Sequence, residues 1–241
     1  MKTPEHIAKI KSKIQDPYTV DNFLTQEEVD YLINVFDTNP EDRIEKNTGP
    51  ITLDVVKYIE EPIFVKILEK VKNEIGDFDF IGGIFFSVTY PHIIHNDDSF
   101  ETKGVFKGVN LPLKLEGTYT ELPDLCFFNQ FYFRGPAKFL RGEGNGEVNI
   151  PTYYNQQVYD YSDVDGVVNG TFDNDIRLKY FTHVKPQWLD GLTLCKAIKW
   201  KPTSAIIFDT SRLHCASDFR QQGITSKLGI SIFVKYQENI D

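Results

Sequence analysis

Cysteine, histidine and positive charge are all scarce in this 241-residue chain, and each shortage excludes something. The three cysteines, Cys126, Cys195 and Cys215, are odd in number and show no C-x-x-C spacing. That argues against a disulfide framework or a zinc ribbon and fits a reducing cytoplasmic setting. Lys and Arg total 26 against 35 Asp and Glu, a net charge of -9, so phosphate backbones and anionic lipid are repelled at long range. Neither a nucleic-acid nor a membrane partner is expected. No apolar run approaches the roughly 20 residues that span a bilayer, and Met1 to Asp16 lacks the continuous apolar stretch of a secretory leader. Asn169-Gly170-Thr171 therefore reads as a turn rather than a glycosylation acceptor. With no internal repeat, low-complexity block or Pro/Ser-rich linker, one domain spanning 1–241 is expected.

Aromatic residues are plentiful, at 14% of the chain, and supply a bulky core. The first 77 residues read as mainly helical. Ile7, Ile10 and Ile14 recur at helical spacing; Thr25 with Glu28 forms a capping box before Val29, Leu32, Ile33 and Phe36; and Ile63, Ile67, Leu68, Val71 and Ile75 share one side of a third helix. From Phe78 the texture becomes β-branched and aromatic, punctuated by Gly, Pro, Asn and Asp. Strands are predicted over 81–90, 125–133, 179–183, 193–200, 204–209 and 227–236, with a polar, Gly-rich insertion or lid over 141–175. Helices first and strands later give an α+β fold, with the helices packed on a barrel or jelly roll.

Three of the five histidines, His92, His95 and His214, adjoin predicted strands. In extended or turn geometry His95 and Asp97 point the same way, so one imidazole and one carboxylate can share an ion. His214, beyond the apolar run Ala205 to Phe208, supplies a second imidazole, completing a three-ligand face with open positions opposite. Asp98 is the rival carboxylate. His92-x-x-His95 suits a helix or a zinc knuckle better than a strand end, so His92 is read as a neighbour of the ligands, and His6 and His183 as structural. Lys227 heads a strand on which Lys227, Gly229 and Ser231 share a face, and a buried lysine calls for an anionic partner, with Gly229 leaving room beside it. Gln130 on the strand 125–133 is a candidate pocket residue. Gly142, Gly144 and Gly146 read as a hinge or hairpin, since no P-loop Lys-Ser/Thr follows. Cys215 has no evident base and reads as a buried, inert thiol.

The order His95-Asn96-Asp97, His214, and a cation 13 residues on (227 minus 214) resembles the 2-oxoglutarate/Fe(II) oxygenase superfamily. Phytanoyl-CoA-hydroxylase-like and prolyl-hydroxylase-like members, and small phage and marine bacterial oxygenases, are similar. Asp21 to Glu28 resembles the start of a helix that often opens such domains, and Trp200-Lys201-Pro202 resembles the approach to a core strand. The resemblance implies a double-stranded β-helix, a cupin-like jelly roll, with Fe(II) held by His95, Asp97 and His214. It also implies 2-oxoglutarate as cosubstrate, O2 as oxidant and ascorbate as a support of activity. Many relatives carry Arg where Lys227 stands, often with Ser where this chain has Gly229, so Arg220 and Arg212 are alternative partners for the cosubstrate. The implied reaction hydroxylates a C–H bond of a small molecule, releasing succinate and CO2. Asp97 disfavours halogenation, which needs a small residue there. A peptidyl prolyl or lysyl substrate, a non-catalytic cupin-like barrel that binds metal or ligand, and a vestigial structural barrel are the alternatives.

Overall fold

The computed structural model describes residues 2–45, 50–99, 104–143 and 156–236. The chain opens with α1 (Pro4–Lys11), capped by the Thr3 side chain accepting from the His6 N–H, and then β1 (Tyr18–Val20). In α2 (Gln26–Thr38) the expected capping box is present: the Thr25 hydroxyl accepts from the Glu28 N–H, and the Glu28 carboxylate accepts from the Thr25 N–H. β2 (Ile51–Asp54) precedes α3 (Pro62–Ile75). The β core then runs β3 (Phe78–Val88), β4 (His95–Asn96), β5 (Val105–Gly117), β6 (Asp124–Phe131), β7 (Ala137–Phe139) and β8 (Gln156–Val158). After α4 (Asn174–Tyr180) and α5 (Pro186–Leu189) it closes with β9 (Leu194–Lys199), β10 (Ala205–Asp209), β11 (Arg212–Ala216) and β12 (Ile224–Tyr236).

The strands form two six-stranded sheets, β1-β10-β5-β12-β3-β2 and β8-β7-β4-β11-β6-β9, antiparallel except where β7 meets β8. This is a jelly roll, and alternation along β12 explains how it packs. Leu228, Ile230, Ile232 and Val234 face outward onto α2 and α3, in one cluster with Leu32, Phe36, Phe64, Ile67 and Val71. Burying each such side chain contributes about 1.5–3 kcal/mol, so the helices are held on the first sheet by its outer row. Lys227, Ser231 and Phe233 face the space between the sheets. There Leu125 and Phe127 of β6 meet Ile206 and Phe208 of β10.

The structure differs from or adds to the expected elements in four places. The stretch 179–183 is not a strand: Asp173 accepts from the N–H groups of Asp175 and Ile176, starting α4, and its last turn includes Lys179 and Tyr180. The mainly helical first 77 residues also carry β1 and β2, which pair with β10 and β3 at sheet edges. β5 was hidden by Gly108 and Pro112. Gly108 is required because a Cβ there would lie 2.6 Å from the Phe208 ring, and Pro112 sits where the pairing with β12 shifts register, a position that tolerates a missing donor. Finally, the described part of 141–175 packs against the outer side of the second sheet through Val158, Tyr161 and Val164 rather than over the interior. Gly144 and Gly146 lie outside the described residues. No helix among the described residues is long and apolar enough to cross a membrane.

Candidate active site

His95 and His214 are register partners on β4 and β11, so both imidazoles project from the same face of the second sheet, with ring centroids 4.2 Å apart. His214 stands in a strand of its own, where the pairing with β6 shifts between Arg212 and His214. Asp97 follows β4 directly, its N–H donating to the Thr210 carbonyl at 2.9 Å. Between them Asn96 points the other way: its Nδ2 donates to the carbonyls of Tyr132 and Gly135, and its Oδ1 accepts from the Ala137 N–H at 2.8 Å. The buried amide therefore pins the strand with His95 and Asp97 on the inner side.

The ligand atoms of His95, Asp97 and His214 all lie within 4.8 Å of one another. Nε2 of His214 is 3.3 Å from Asp97 Oδ2, and Nε2 of His95 is 3.9 Å from Oδ1. Each Nδ1 lies against a backbone carbonyl, Ile93 at 2.7 Å and Arg212 at 3.0 Å. Nδ1–H donates there, which leaves both Nε2 lone pairs directed at the ion position. Burial, followed by the neighbouring His214 and His92, holds His95 well below the usual histidine range and so in the neutral, ligating form. His92 stacks on His95 at 4.2 Å, and burial pushes its pKa down to about 3. Asp98, the rival carboxylate, is turned away into a buried ion pair with Lys2 at 2.6 Å.

The three residues open onto a cavity of about 330 Å3 between the sheets. Lys227 lines the same cavity and, among the described lining residues, is its only lysine or arginine. It is 3% exposed, and its ammonium lies 4.1 Å from the centre of the Trp200 ring and 5.4 Å from that of Phe219. Burial pulls its pKa down to about 7, against a smaller upward pull from Cys126 and Asp124. Gly229 serves a different purpose from the one expected: a Cβ there would lie 2.7 Å from the Trp200 ring and 2.8 Å from Phe86, so its bareness admits those rings. One polar lining residue, Asn110, escaped the sequence reading. Asn110 lies on the unrecognised β5, and its Oδ1 accepts from the Trp200 indole N–H at 2.7 Å. The alternation of β12 already placed Ser231 on the Lys227 face, and its hydroxyl accepts from Asn110 Nδ2 at 3.2 Å.

Other candidates lie elsewhere. Gln130 is buried outside the cavity, where Nε2 donates to the Gly166 carbonyl and Oε1 accepts from the Thr193 N–H, so its amide ties a loop to β9. Arg220 sits over the Tyr90 ring at 4.5 Å in a separate surface cleft with His183 and Asp218. Arg212 donates to the Phe128 carbonyl at 2.9 Å and pairs with Asp16 at 3.3 Å. Cys215 is buried, and its thiol is pushed up by burial, away from the reactive thiolate.

No protein-family model matches the chain, and no curated protein matches it in sequence. Solved structures do match. The non-haem alpha-ketoglutarate-dependent epimerase SnoN from nogalamycin biosynthesis superposes over 97% of this chain and 84% of its own, at TM-score 0.53 and 13% identity. The carbocyclase SnoK from the same biosynthesis does so over 97% and 83%, at TM-score 0.53 and 7% identity. HygX from Streptomyces hygroscopicus, solved with nickel and 2-oxoglutarate bound, covers 98% and 87%, at TM-score 0.50 and 8% identity. The chain thus has the double-stranded β-helix fold seen in alpha-ketoglutarate-dependent non-haem enzymes. That is the fold its sequence resemblance implied.

Proposed function

We propose that this protein is an Fe(II)- and 2-oxoglutarate-dependent dioxygenase that hydroxylates a C–H bond of a small molecule. One observation carries the reading: a His-Asp-His set with both Nε2 atoms turned toward the Asp97 carboxylate shares a single cavity with one buried lysine. Two imidazoles and one carboxylate match a facial site for non-haem iron, and Asp97, at 15% side-chain exposure, is its most open member. When bound together, iron and 2-oxoglutarate supply oxidising power from O2, with succinate and CO2 as coproducts.

The protein's part is positional. His95, Asp97 and His214 hold the metal; the carbonyls of Ile93 and Arg212 hold the imidazoles; and Lys227 offers a charge-assisted hydrogen bond to the distal carboxylate of the cosubstrate. A metal at one end and a cation at the other suit a dicarboxylate, and a barrel that only stored metal would not need a buried lysine lining the same cavity. The cavity is also lined by Pro50, Thr52, Ile84, Val88, Pro136 and Phe233, without a charge among them. The reacting part of the substrate is therefore uncharged and largely apolar. HygX, which has also been solved with hygromycin B bound, at 9% identity and TM-score 0.50, lends support to a small-molecule substrate.

The test is succinate formation from 2-oxoglutarate with Fe(II), ascorbate and O2, ranked across a panel of metabolites, amino acids and proline- or lysine-containing peptides. Uncharged small molecules are expected to stimulate turnover most. Strongest stimulation by peptides would move the assignment to a peptidyl hydroxylase. No succinate under any member of the panel would favour the non-catalytic barrel.

A further inference from the structure

Lys227 poses a physical problem that the proposed function leaves open. An ammonium buried without a counter-charge loses its hydration, and the ordinary outcome is loss of the proton, after which it no longer attracts a carboxylate. Among the described residues no carboxylate lies within ion-pair distance of Lys227, and its close neighbours are rings: Trp200 at 4.1 Å and Phe219 at 5.4 Å. The face of an aromatic ring carries partial negative charge and attracts a desolvated cation more strongly than a hydrated one.

Trp200 is also more closely held than packing alone requires. Its indole N–H donates to Asn110, whose amide donates on to Ser231, and both partners line the cavity. On β12 the residue between Lys227 and Ser231 on the inner face is Gly229, and only a glycine leaves room for the Trp200 ring beneath the lysine stem. Two strands, β5 and β12, and the segment that follows β9 thus converge to place one ring against one ammonium.

Resting on the cosubstrate reading above, we propose that Trp200, with Phe219, is an aromatic seat that keeps the Lys227 ammonium charged and aimed into the cavity, and that Asn110 positions the Trp200 ring. Trp200 and Asn110 are then positioning residues acting through Lys227, and the dicarboxylate is recognised by a cation held on rings rather than by one held in a hydrogen-bonded network. The titratable groups acting on Lys227 are Cys126 and Asp124 on β6, with His92, His95, Asp97 and His214 sharing its cavity; Trp200 and Phe219 contribute no titrating group.

The experiment is calorimetric titration of Ni(II)-loaded protein with 2-oxoglutarate across a pH series, with Ni(II) affinity measured alongside. Trp200→Leu keeps an apolar side chain but removes the ring. It is expected to weaken 2-oxoglutarate about tenfold or more and to move the fall in affinity to lower pH, with Ni(II) affinity unchanged. Trp200→Phe restores a ring and is expected to stay within about threefold of wild type. A second measurement leaves the seat intact: in Trp188→Phe protein the remaining tryptophan is Trp200, and its fluorescence is expected to change on adding 2-oxoglutarate, the change disappearing with Lys227→Met. Wild-type affinity and pH profile in Trp200→Leu would overturn the proposal, as would an unresponsive Trp200 signal in protein shown by calorimetry to bind 2-oxoglutarate. Failure of wild-type protein to bind 2-oxoglutarate at all would overturn the cosubstrate reading itself, and the seat with it.

Discussion

The two ends of the cavity are built on different physics. At the metal end every group is fixed by hydrogen bonds: the imidazoles to the carbonyls of Ile93 and Arg212, the strand by the Asn96 amide, and the Asp97 backbone by Thr210. At the lysine end the charge lies between rings and takes its environment from Trp200, Phe219 and the bareness of Gly229. Hydrogen-bonded ligands keep a fixed geometry whether or not the ion is bound. A ring-seated ammonium keeps its charge only while its surroundings favour it, so the two ends should respond differently to mutation and to pH.

The largest expected difference lies at the metal end. Alanine at His95, Asp97 or His214 is expected to abolish tight Fe(II) binding in anaerobic titration, because a facial site has no protein ligand to spare. Asp98→Asn is the matched control. It breaks the buried pair with Lys2 and is expected to lower stability by up to about 3–5 kcal/mol in denaturant unfolding while Fe(II) binding persists. Metal loss in Asp98→Asn with retention in Asp97→Ala would exchange the two roles.

At the lysine end, Lys227→Ala is expected to weaken 2-oxoglutarate by about 1.5–3 kcal/mol, roughly ten- to hundredfold, and to leave Fe(II) binding intact. Equal loss of metal would erase the contrast between the ends.

The same lysine sets a pH signature. Its pKa is lowered from 10.5 to about 7 in the fold. Between those values the unfolded chain holds a proton that the folded chain has lost, so stability of the ligand-free protein is expected to rise with pH across that window. On the proposed role of Lys227, affinity for 2-oxoglutarate is expected to move the opposite way, falling as pH climbs above about 7, because only the charged lysine would pair with the carboxylate. Lys227→Met should remove both trends; a stability curve unchanged by it would place the titration elsewhere.

The smallest effects are expected where the sequence suggested a role and the structure shows another. Gly229→Ala should cost about 1–3 kcal/mol of stability through overpacking against Trp200 and Phe86. Arg220→Ala, at a residue stacked on Tyr90 in another cleft, should leave the affinity for 2-oxoglutarate unchanged. A rise in the dissociation constant in Arg220→Ala, with none in Lys227→Ala, would move the cation to the loop.

The same contrast explains what could be seen in the sequence. His95 and Asp97 are two residues apart, and their common direction follows from local chain geometry alone. His214 and Lys227 were found by their order along the chain, and the alternation of β12 put Lys227 and Ser231 on one face. The helices were readable because periodicity and the Thr25 capping box are local signals. Trp200 and Phe219 reach Lys227, and Asn110 reaches Trp200, only through the tertiary fold, and β5, the element that would have revealed Asn110, carries Gly108 and Pro112, which interrupt the usual strand pattern. Gln130 failed for a related reason. Its polarity on a strand marked a buried hydrogen-bonding group, but whether that group faced the cavity or the loop at Gly166 depended on the sheet face, and the register shift along β6 obscures that face.

On the proposed function, one cavity binds a metal and a dicarboxylate together, each through its own end. Anaerobic calorimetry, with Fe(II) added first and 2-oxoglutarate second, tests it most directly. One Fe(II) per chain is expected, then one 2-oxoglutarate whose binding is lost in Asp97→Ala together with the metal and weakened in Lys227→Ala with the metal retained. Tight binding of 2-oxoglutarate to metal-free protein, or wild-type binding in Lys227→Ala, would contradict it.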